Sequence, residues 1–362
     1  MVLRASFFVV SYFLAAACLQ AACIPGLLEA PKLLSRTIRV LGAQCPAFRG
    51  AIVNINEVGP RDGIQGIKGY IDPERKDQFL RAIIGSIKPI RDNMKALPVR
   101  VEMGSIVSPD AVPQMKSTEE LLGRLKINDD LPIIPSVLIP NLKGMNRLKA
   151  VLEKRKDGLV PEVAVFVSPS EPFSKANLKC SVSDSLKMVE SVLAEAKRMK
   201  LLTRGFISMV SGSPFGDVIT KDDVKRVAID LRDMGCQQIV LGDTTGSGTP
   251  SQIYGLIQHL KEAIPVHTLA LHLHGRADNS ENTLQNVLAA YIAGIRSFDG
   301  SVGGIGGCPY SPGSPGNLDT VLLLQLFHQL GASTSWDLKK VSAVRAQLPE
   351  ILDSQDLMTK KS

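Results

Sequence analysis

The chain has 362 residues, 44% of them hydrophobic and 21% charged, enough to bury a sizeable core and too apolar for a disordered chain. Its formal charge of +7 sits largely in the first fifty residues, where Arg4, Lys32, Arg36, Arg39 and Arg49 face the single acid Glu29, and no later run interleaves basic with aromatic residues, which argues against a nucleic-acid surface. Six cysteines without a CxxC pair argue against a disulfide framework or a structural zinc site.

The first element in chain order is a leader. Phe7–Cys23 is a mostly apolar run behind Arg4, short for a membrane span and of the kind found in signal peptides. The stretch that follows, PKLLSRTIRVLGAQCPAFRG, has basic residues and no acid, a transit-peptide composition. Residues 1–50 are therefore read as a targeting leader, cleaved on import into the mitochondrial matrix; the alternatives are a bipartite leader to a plastid-type organelle, a secretory signal and an uncleaved anchor. Residues 51–350 are read as one domain, and 351–362 as a polar C-terminal tail.

From residue 51 onward, short β-branched runs alternate with amphipathic stretches. The runs are AIVNINEV (51–58), PVRVEMG (98–104), PIIPSVLIP (132–140), EVAVFVS (162–168), RGFISMV (204–210), QQIVLGD (237–243), TLALHLH (268–274) and IRSFDGSV (295–302). Among the stretches between them, 183–200 has a helical apolar period with Ser183 as a cap, 220–235 starts at Thr220 and stops at Gly235, and 249–265 begins Thr-Pro. Eight alternations predict a parallel (β/α)8 TIM barrel with a C-terminal loop region acting as a lid. An open doubly wound sheet is the competing arrangement, but the GxGxxG turn it usually carries after its first strand is missing.

In such a barrel, chemistry gathers at the C-terminal ends of the strands. Those ends offer Glu57, Arg61 and Asp62, then Glu102 and Ser105, then Ser208, Asp243, Thr244, His272 and His274, and finally Cys308 and Asn317 in the Gly- and Pro-rich stretch after the eighth run. His272 and His274 are two apart, so a strand turns both imidazoles to one side, a ready pair of metal ligands. Nitrogen and oxygen donors without a thiolate suit Mg²⁺ or Mn²⁺ better than zinc. A carboxylate inside the apolar run VEMG needs a partner, and Arg61 is the nearest cation by this reading. The turn aspartate Asp243 and a passive thiol at Cys308 are equally plain readings of those residues.

The stretches EVGPRDGIQ, VEMGSIVSPDAVPQM, IPNLKG, SEPFSKANLKCS, LGDTTGSGTP, HLH and GGIGGCPYSPGSPGNL, in this order, resemble the 3-hydroxy-3-methylglutaryl-CoA (HMG-CoA) lyase family of metal-dependent barrel enzymes. The resemblance implies cleavage of HMG-CoA to acetoacetate and acetyl-CoA, a step of leucine degradation and ketone-body formation. It implies an acyl-CoA substrate, Mg²⁺ or Mn²⁺, a homodimer, no nucleic acid and no membrane span in the mature form. Asp62, His272, His274 and Asn317 are the implied metal ligands. Arg61 is the implied cation at the thioester oxygen, with Ser105 also on the substrate, while Glu102 holds Arg61, Asp243 gives polar support and Cys308 is the lid thiol. Asp62, His272 and Cys308 are all candidates for moving protons. On this reading Arg61 and Asp62 face different ends of the substrate and form no ion pair. The chain departs from the family pattern after HLH, where GRADNSENT replaces DTYG, after Asn317, where two acids are missing, and at Ser213, where the family has a thiol. A related acyl-CoA lyase, an aldol-type synthase of the isopropylmalate and homocitrate synthase group, and a catalytically weakened acyl-CoA-binding paralogue are the alternative functions.

Overall fold

The computed structural model describes residues 50–92, 95–126, 133–275, 280–307 and 315–354. Residues 1–49 of the leader, the tail beyond residue 354, and Arg276, Asp278 and Cys308 lie outside them. Eight parallel strands close a barrel: β1 (Asn54–Glu57), β2 (Val99–Ser105), β3 (Ile133–Leu138), β4 (Glu162–Val167), β5 (Leu202–Ile207), β6 (Gln238–Asp243), β7 (Leu269–Leu273) and β8 (Ser297–Gly300). Each strand pairs with the next, and β1 closes the ring on β8 through Asn54 to Glu57 opposite Ser297 to Gly300. Every predicted run overlaps one of these strands, although β2 extends one residue past its run to Ser105 and β5 starts two residues before its run, at Leu202. The short antiparallel pair Arg91–Asp92 with Lys95–Ala96, before β2, was not anticipated.

The helices are α1 (Pro73–Ile84), α2 (Thr118–Arg124), α3 (Leu142–Lys154), α4 (Glu171–Leu178), α5 (Val182–Arg198), α6 (Lys221–Asp233), α7 (Pro250–Leu260), α8 (Ser280–Ala293), α9 (Thr320–Gln329) and α10 (Leu338–Leu352). Thr220 and Thr249 close capping boxes at α6 and α7, each side chain accepting from the backbone N–H three residues on while that residue's side chain reaches back. At α5 the cap is Ser181, which accepts from Asp184 N, and the expected Ser183 lies inside the first turn. Each helix turns one apolar stripe inward; on α5 it is Val189, Val192, Leu193 and Ala196. Burying a Val or Leu side chain contributes about 1.5–3 kcal/mol, so the layer between strands and helices is the main source of stability. A second, smaller apolar group made of Leu138, Ala164, Phe206, Val240 and Ala270 comes from β3 to β7. The indole N–H of Trp336 donates to the Ile55 carbonyl at 2.9 Å and ties the chain after α9 to β1.

Candidate active site

The chain leaves β1 in a buried π-helical turn, Gly59–Gly63. The N–H groups of Arg61, Asp62 and Gly63 all point at the Val58 carbonyl, at 3.1, 2.8 and 3.3 Å. Single π turns of this kind recur at functional sites because they re-aim side chains that an α turn would bury elsewhere. Here the turn puts Arg61 and Asp62 side by side, and they do form an ion pair, contrary to the sequence reading. The reason is that a carboxylate has two oxygens. Oδ1 of Asp62 accepts from Arg61 and from Gln65 Nε2 at 2.8 Å, while Oδ2 accepts from Asn317 Nδ2 at 2.7 Å and lies 3.8 Å from His272 Nε2. Pairing with Arg61 and facing the histidines are therefore compatible. Burial alone would raise the Asp62 pKa, but Arg61, the two histidines and Asn317 outweigh it and hold the carboxyl below its usual range.

His272 lies in β7 and His274 just beyond it, and the period of two brings their rings together as expected, Nε2 to Nε2 at 3.1 Å. Their outer nitrogens are both held. Nδ1 of His272 faces Asp299 Oδ2 at 3.2 Å, and Nδ1 of His274 faces the Pro315 carbonyl at 2.9 Å. A carbonyl only accepts, so Nδ1 of His274 carries its proton and Nε2 keeps a lone pair. Two facing lone pairs repel, so the 3.1 Å approach requires either a proton between them or a cation in its place. The pKa directions divide the pair accordingly. Burial and the neighbouring His272 push His274 down to about 4. At His272 burial also acts downward, but the hydrogen bond to Asp299 and the charges of Asp62 and Asp299 overcome it and raise the value.

Asn317 reaches the cluster because residues 315–318 run alongside the end of β7. His274 and Asn317 form an antiparallel bridge, Gly275 N donates to Gly316 O at 2.9 Å, and Leu318 N donates to Leu273 O at 3.0 Å. Gly306 approaches from the other side with φ 116°, and a Cβ there would stand 2.4 Å from Asn317 Nδ2. Only glycine permits that closeness in that conformation. Arg61 completes the group. Its Nε donates to Glu102 Oε2 at 2.8 Å, the pairing expected from sequence, and its guanidinium lies 5.8 Å from the centre of the Phe206 ring. Between Glu102 at Nε and Asp62 at Nη1, the guanidinium is held by two carboxylates.

The pattern of the HMGL-like family matches residues 52–348. The chain belongs to this family. It is 38% identical over 296 residues to the hydroxymethylglutaryl-CoA lyase of Pseudomonas mevalonii, covering 82% of this chain and 91% of that one. The HMG-CoA lyase structure from Brucella melitensis superposes with a TM-score of 0.73 at 32% identity, covering 84% of this chain and 100% of that one. An HMG-CoA lyase from Acinetobacter baumannii, solved in complex with coenzyme A and 3-methylmalate, has a TM-score of 0.72 at 29% identity over 84% of this chain and 92% of that one.

Within this family fold, Asp62, His272 and His274 form a group able to hold a metal ion, with one donor atom of each lying within 4.8 Å of the others. Asn317 adds to the fit. Its Nδ2 is spent on Asp62 and on the Ile305 carbonyl at 3.1 Å, while its buried Oδ1 has no hydrogen-bond partner. An orphaned buried acceptor beside two imidazole nitrogens and a carboxylate suits a hard or borderline divalent cation. Ser105 ends β2, buried on the same rim. Asp243 ends β6 but turns away from the cluster: Oδ2 accepts from Gly248 N at 3.0 Å and Oδ1 from Thr245 at 3.4 Å. Its own contribution to the histidines is its backbone carbonyl, which accepts from His274 N at 3.3 Å. Burial dominates its surroundings and raises its pKa. Glu57 also sits apart, with Oε1 accepting from Gly59 N and Val302 N at 2.9 and 3.0 Å and Oε2 sharing a hydrogen bond with the Thr320 hydroxyl at 2.7 Å. It ties the loop after β1 to the loop after β8. Cys308 lies outside the described residues.

Sequence reasoning passed over Asp299 and Arg204, which are fully buried and ion-paired with each other beneath the histidines. The signal was present. Both are charged residues inside apolar runs, and the argument that gave Glu102 a partner applies to them equally.

Proposed function

We propose that this protein cleaves 3-hydroxy-3-methylglutaryl-CoA to acetoacetate and acetyl-CoA, as a carbon–carbon lyase. The observation that carries the reading is the convergence of Asp62, His272 and His274 beside the guanidinium of Arg61 on one barrel rim. The reaction removes the proton of the tertiary hydroxyl, breaks the C2–C3 bond, and sends its electron pair onto the thioester carbonyl as an enolate, which is then protonated at C2. A divalent cation bound by Asp62, His272, His274 and Asn317, in our reading Mg²⁺ or Mn²⁺, would supply Lewis acidity toward the substrate oxygens. Arg61 is fixed by Glu102 and Asp62, so its remaining donors are pre-aimed at the oxygen that gains charge, which favours the transition state over the ground state. Phe206 and the buried rim exclude water from that oxygen and strengthen the interaction.

The test is acetoacetate and acetyl-CoA release from HMG-CoA by protein starting at residue 50, with EDTA and after readdition of Mg²⁺ or Mn²⁺. Equal amounts of the two products, lost with EDTA and restored by metal, are expected. Cleavage that survives EDTA contradicts the metal reading, and none at high enzyme concentration contradicts the lyase reading. Release of free CoA from acetyl-CoA plus a keto acid would instead point to a synthase. The altered residues after His274 favour testing acyl-CoA binding without turnover as well, the outcome expected of a weakened paralogue.

The same reading extends to a homodimer and to a mitochondrial matrix location given by residues 1–50. The location is supported by the leader's composition. A tagged protein that still reaches the organelle after deletion of residues 1–50 would refute the targeting role.

A further inference from the structure

The interior of a (β/α)8 barrel is ordinarily filled by branched apolar side chains. Beneath the His272–His274 pair this one instead holds a hydrogen-bonded ionic group. Asp299 on β8 stands directly opposite His272 on β7 in the strand register. Its Oδ2 faces His272 Nδ1 at 3.2 Å, and its Oδ1 accepts from Arg204 and from Asn56 Nδ2, the latter at 2.9 Å. Arg204 is pinned in turn by Gln238 Oε1 at 2.8 Å and by the face of Phe206, 4.9 Å from its guanidinium. Gln238 and Asn56 both donate to the Ser297 hydroxyl, at 3.2 and 3.1 Å. The Asp299 carboxylate therefore has almost no freedom to turn.

This group is an expensive way to fill a barrel. A buried ion pair seldom stabilises more than well-packed apolar residues of the same volume, and Nη1 of Arg204 is buried with no partner. Stability alone does not account for it. We propose that Asp299, clamped by Arg204, is a positioning residue for His272: it keeps the proton on Nδ1 and turns Nε2 toward Asp62 and His274. Metal-binding histidines depend on such an outer partner for ring orientation, and losing it typically weakens metal affinity about 10–100-fold. Arg204 then acts at one remove. It touches neither His272 nor Asp62 by hydrogen bond and works by holding Asp299 in place.

The inference rests on the metal-site reading above, and its test separates the two. In the full chain, Mn²⁺ affinity is measured by calorimetry for wild type, Asp299→Asn and Arg204→Met. The wild type is expected to bind one Mn²⁺, and both variants to bind it about 10–100-fold more weakly. Failure of the wild type to bind Mn²⁺ would sink the metal reading itself. Wild-type affinity in Asp299→Asn would overturn the positioning role even if that variant melted at a lower temperature. Nitrogen-15 NMR of the metal-free wild type tests the same point without any variant, and with five histidines in the chain the signals are tractable. A proton on Nδ1 of His272 is expected, and an unprotonated Nδ1 would overturn the proposal. In turnover, the loss in Asp299→Asn should fall on kcat, with KM for the acyl-CoA within about three-fold of wild type, since Asp299 reaches no substrate atom.

Discussion

Two sectors of the barrel mouth are built from different materials. Toward β1, β2, β7 and β8 it presents Arg61, Asp62, Glu102, His272, His274 and, just below, Asp299. Toward β3 to β6, apart from Asp243 at the end of β6, it presents Leu138, Ala164, Phe206 and Val240. Both sectors are buried, but they respond to change in different ways. In the polar sector each charge is held by another, so removing one member strands the rest in low dielectric and misaims the site. In the apolar sector the side chains are interchangeable to the extent that volume is kept, and removing one leaves a cavity. Phe206 marks the seam between them, with its ring edge-on to His272 at 5.9 Å and both Arg61 and Arg204 over it.

The contrast can be broken most forcefully at the histidine pair. His272→Ala should lower kcat for HMG-CoA cleavage by about 10³-fold or more, roughly 4 kcal/mol of transition-state stabilisation, and weaken Mn²⁺ binding in parallel. Next, Arg61→Gln should lower kcat about 10²–10³-fold with KM changed only a few-fold, the pattern of an interaction made in the transition state. A rise in KM with kcat unchanged would move Arg61 from charge stabilisation to simple binding. Leu138→Ala probes the opposite sector: denaturant unfolding should show a loss of about 2–4 kcal/mol while kcat stays within about three-fold. A collapse of kcat in the folded variant would erase the distinction between the sectors.

Glu57, at the edge of the polar sector, adds a pH dependence of stability. Burial raises its pKa to about 8, against the hydrogen bonds from Thr320, Val302 and Gly59, which favour the charged form. A carboxyl whose folded pKa lies above its unfolded value of 4.5 binds its proton more tightly in the folded state. Its contribution is fully present below pH 4.5 and is lost as pH rises toward about 8. Stability should therefore fall across that window by up to about 1.4 kcal/mol per pH unit from this group, and Glu57→Gln should flatten the slope. An unchanged slope in Glu57→Gln would show that the carboxyl is already ionised in the folded protein.

The barrel was legible because its two periods alternate cleanly: every run rich in Val, Ile and Leu became a strand, and Thr220 and Thr249 marked helix starts that the structure keeps. The approach of the two histidines was legible for a similar reason, since HLH at a strand end turns both imidazoles to one side. The π turn was not, because nothing in GPRDG separates a five-residue turn from an ordinary loop, and the number of oxygens on Asp62 that meet Arg61 depends on that geometry. Asp299 and Arg204 were within reach but unread: each looks like one charge in an apolar run, and only the closed ring brings β5 and β8 side chains together across the interior. Asp243 shows the reverse. The strand end placed it on the rim, yet the loop to α7 captures its carboxylate through Gly248 N and Thr245.

On the reading proposed above, the polar sector is built around one divalent cation. Crystals of the protein grown with Mn²⁺ and measured at the manganese edge test it directly. A single anomalous peak is expected within bonding distance of Nε2 of His272, Nε2 of His274 and a carboxylate oxygen of Asp62, with the Asn317 oxygen beside it. No peak there at saturating Mn²⁺, or a peak ligated by other residues, would contradict it.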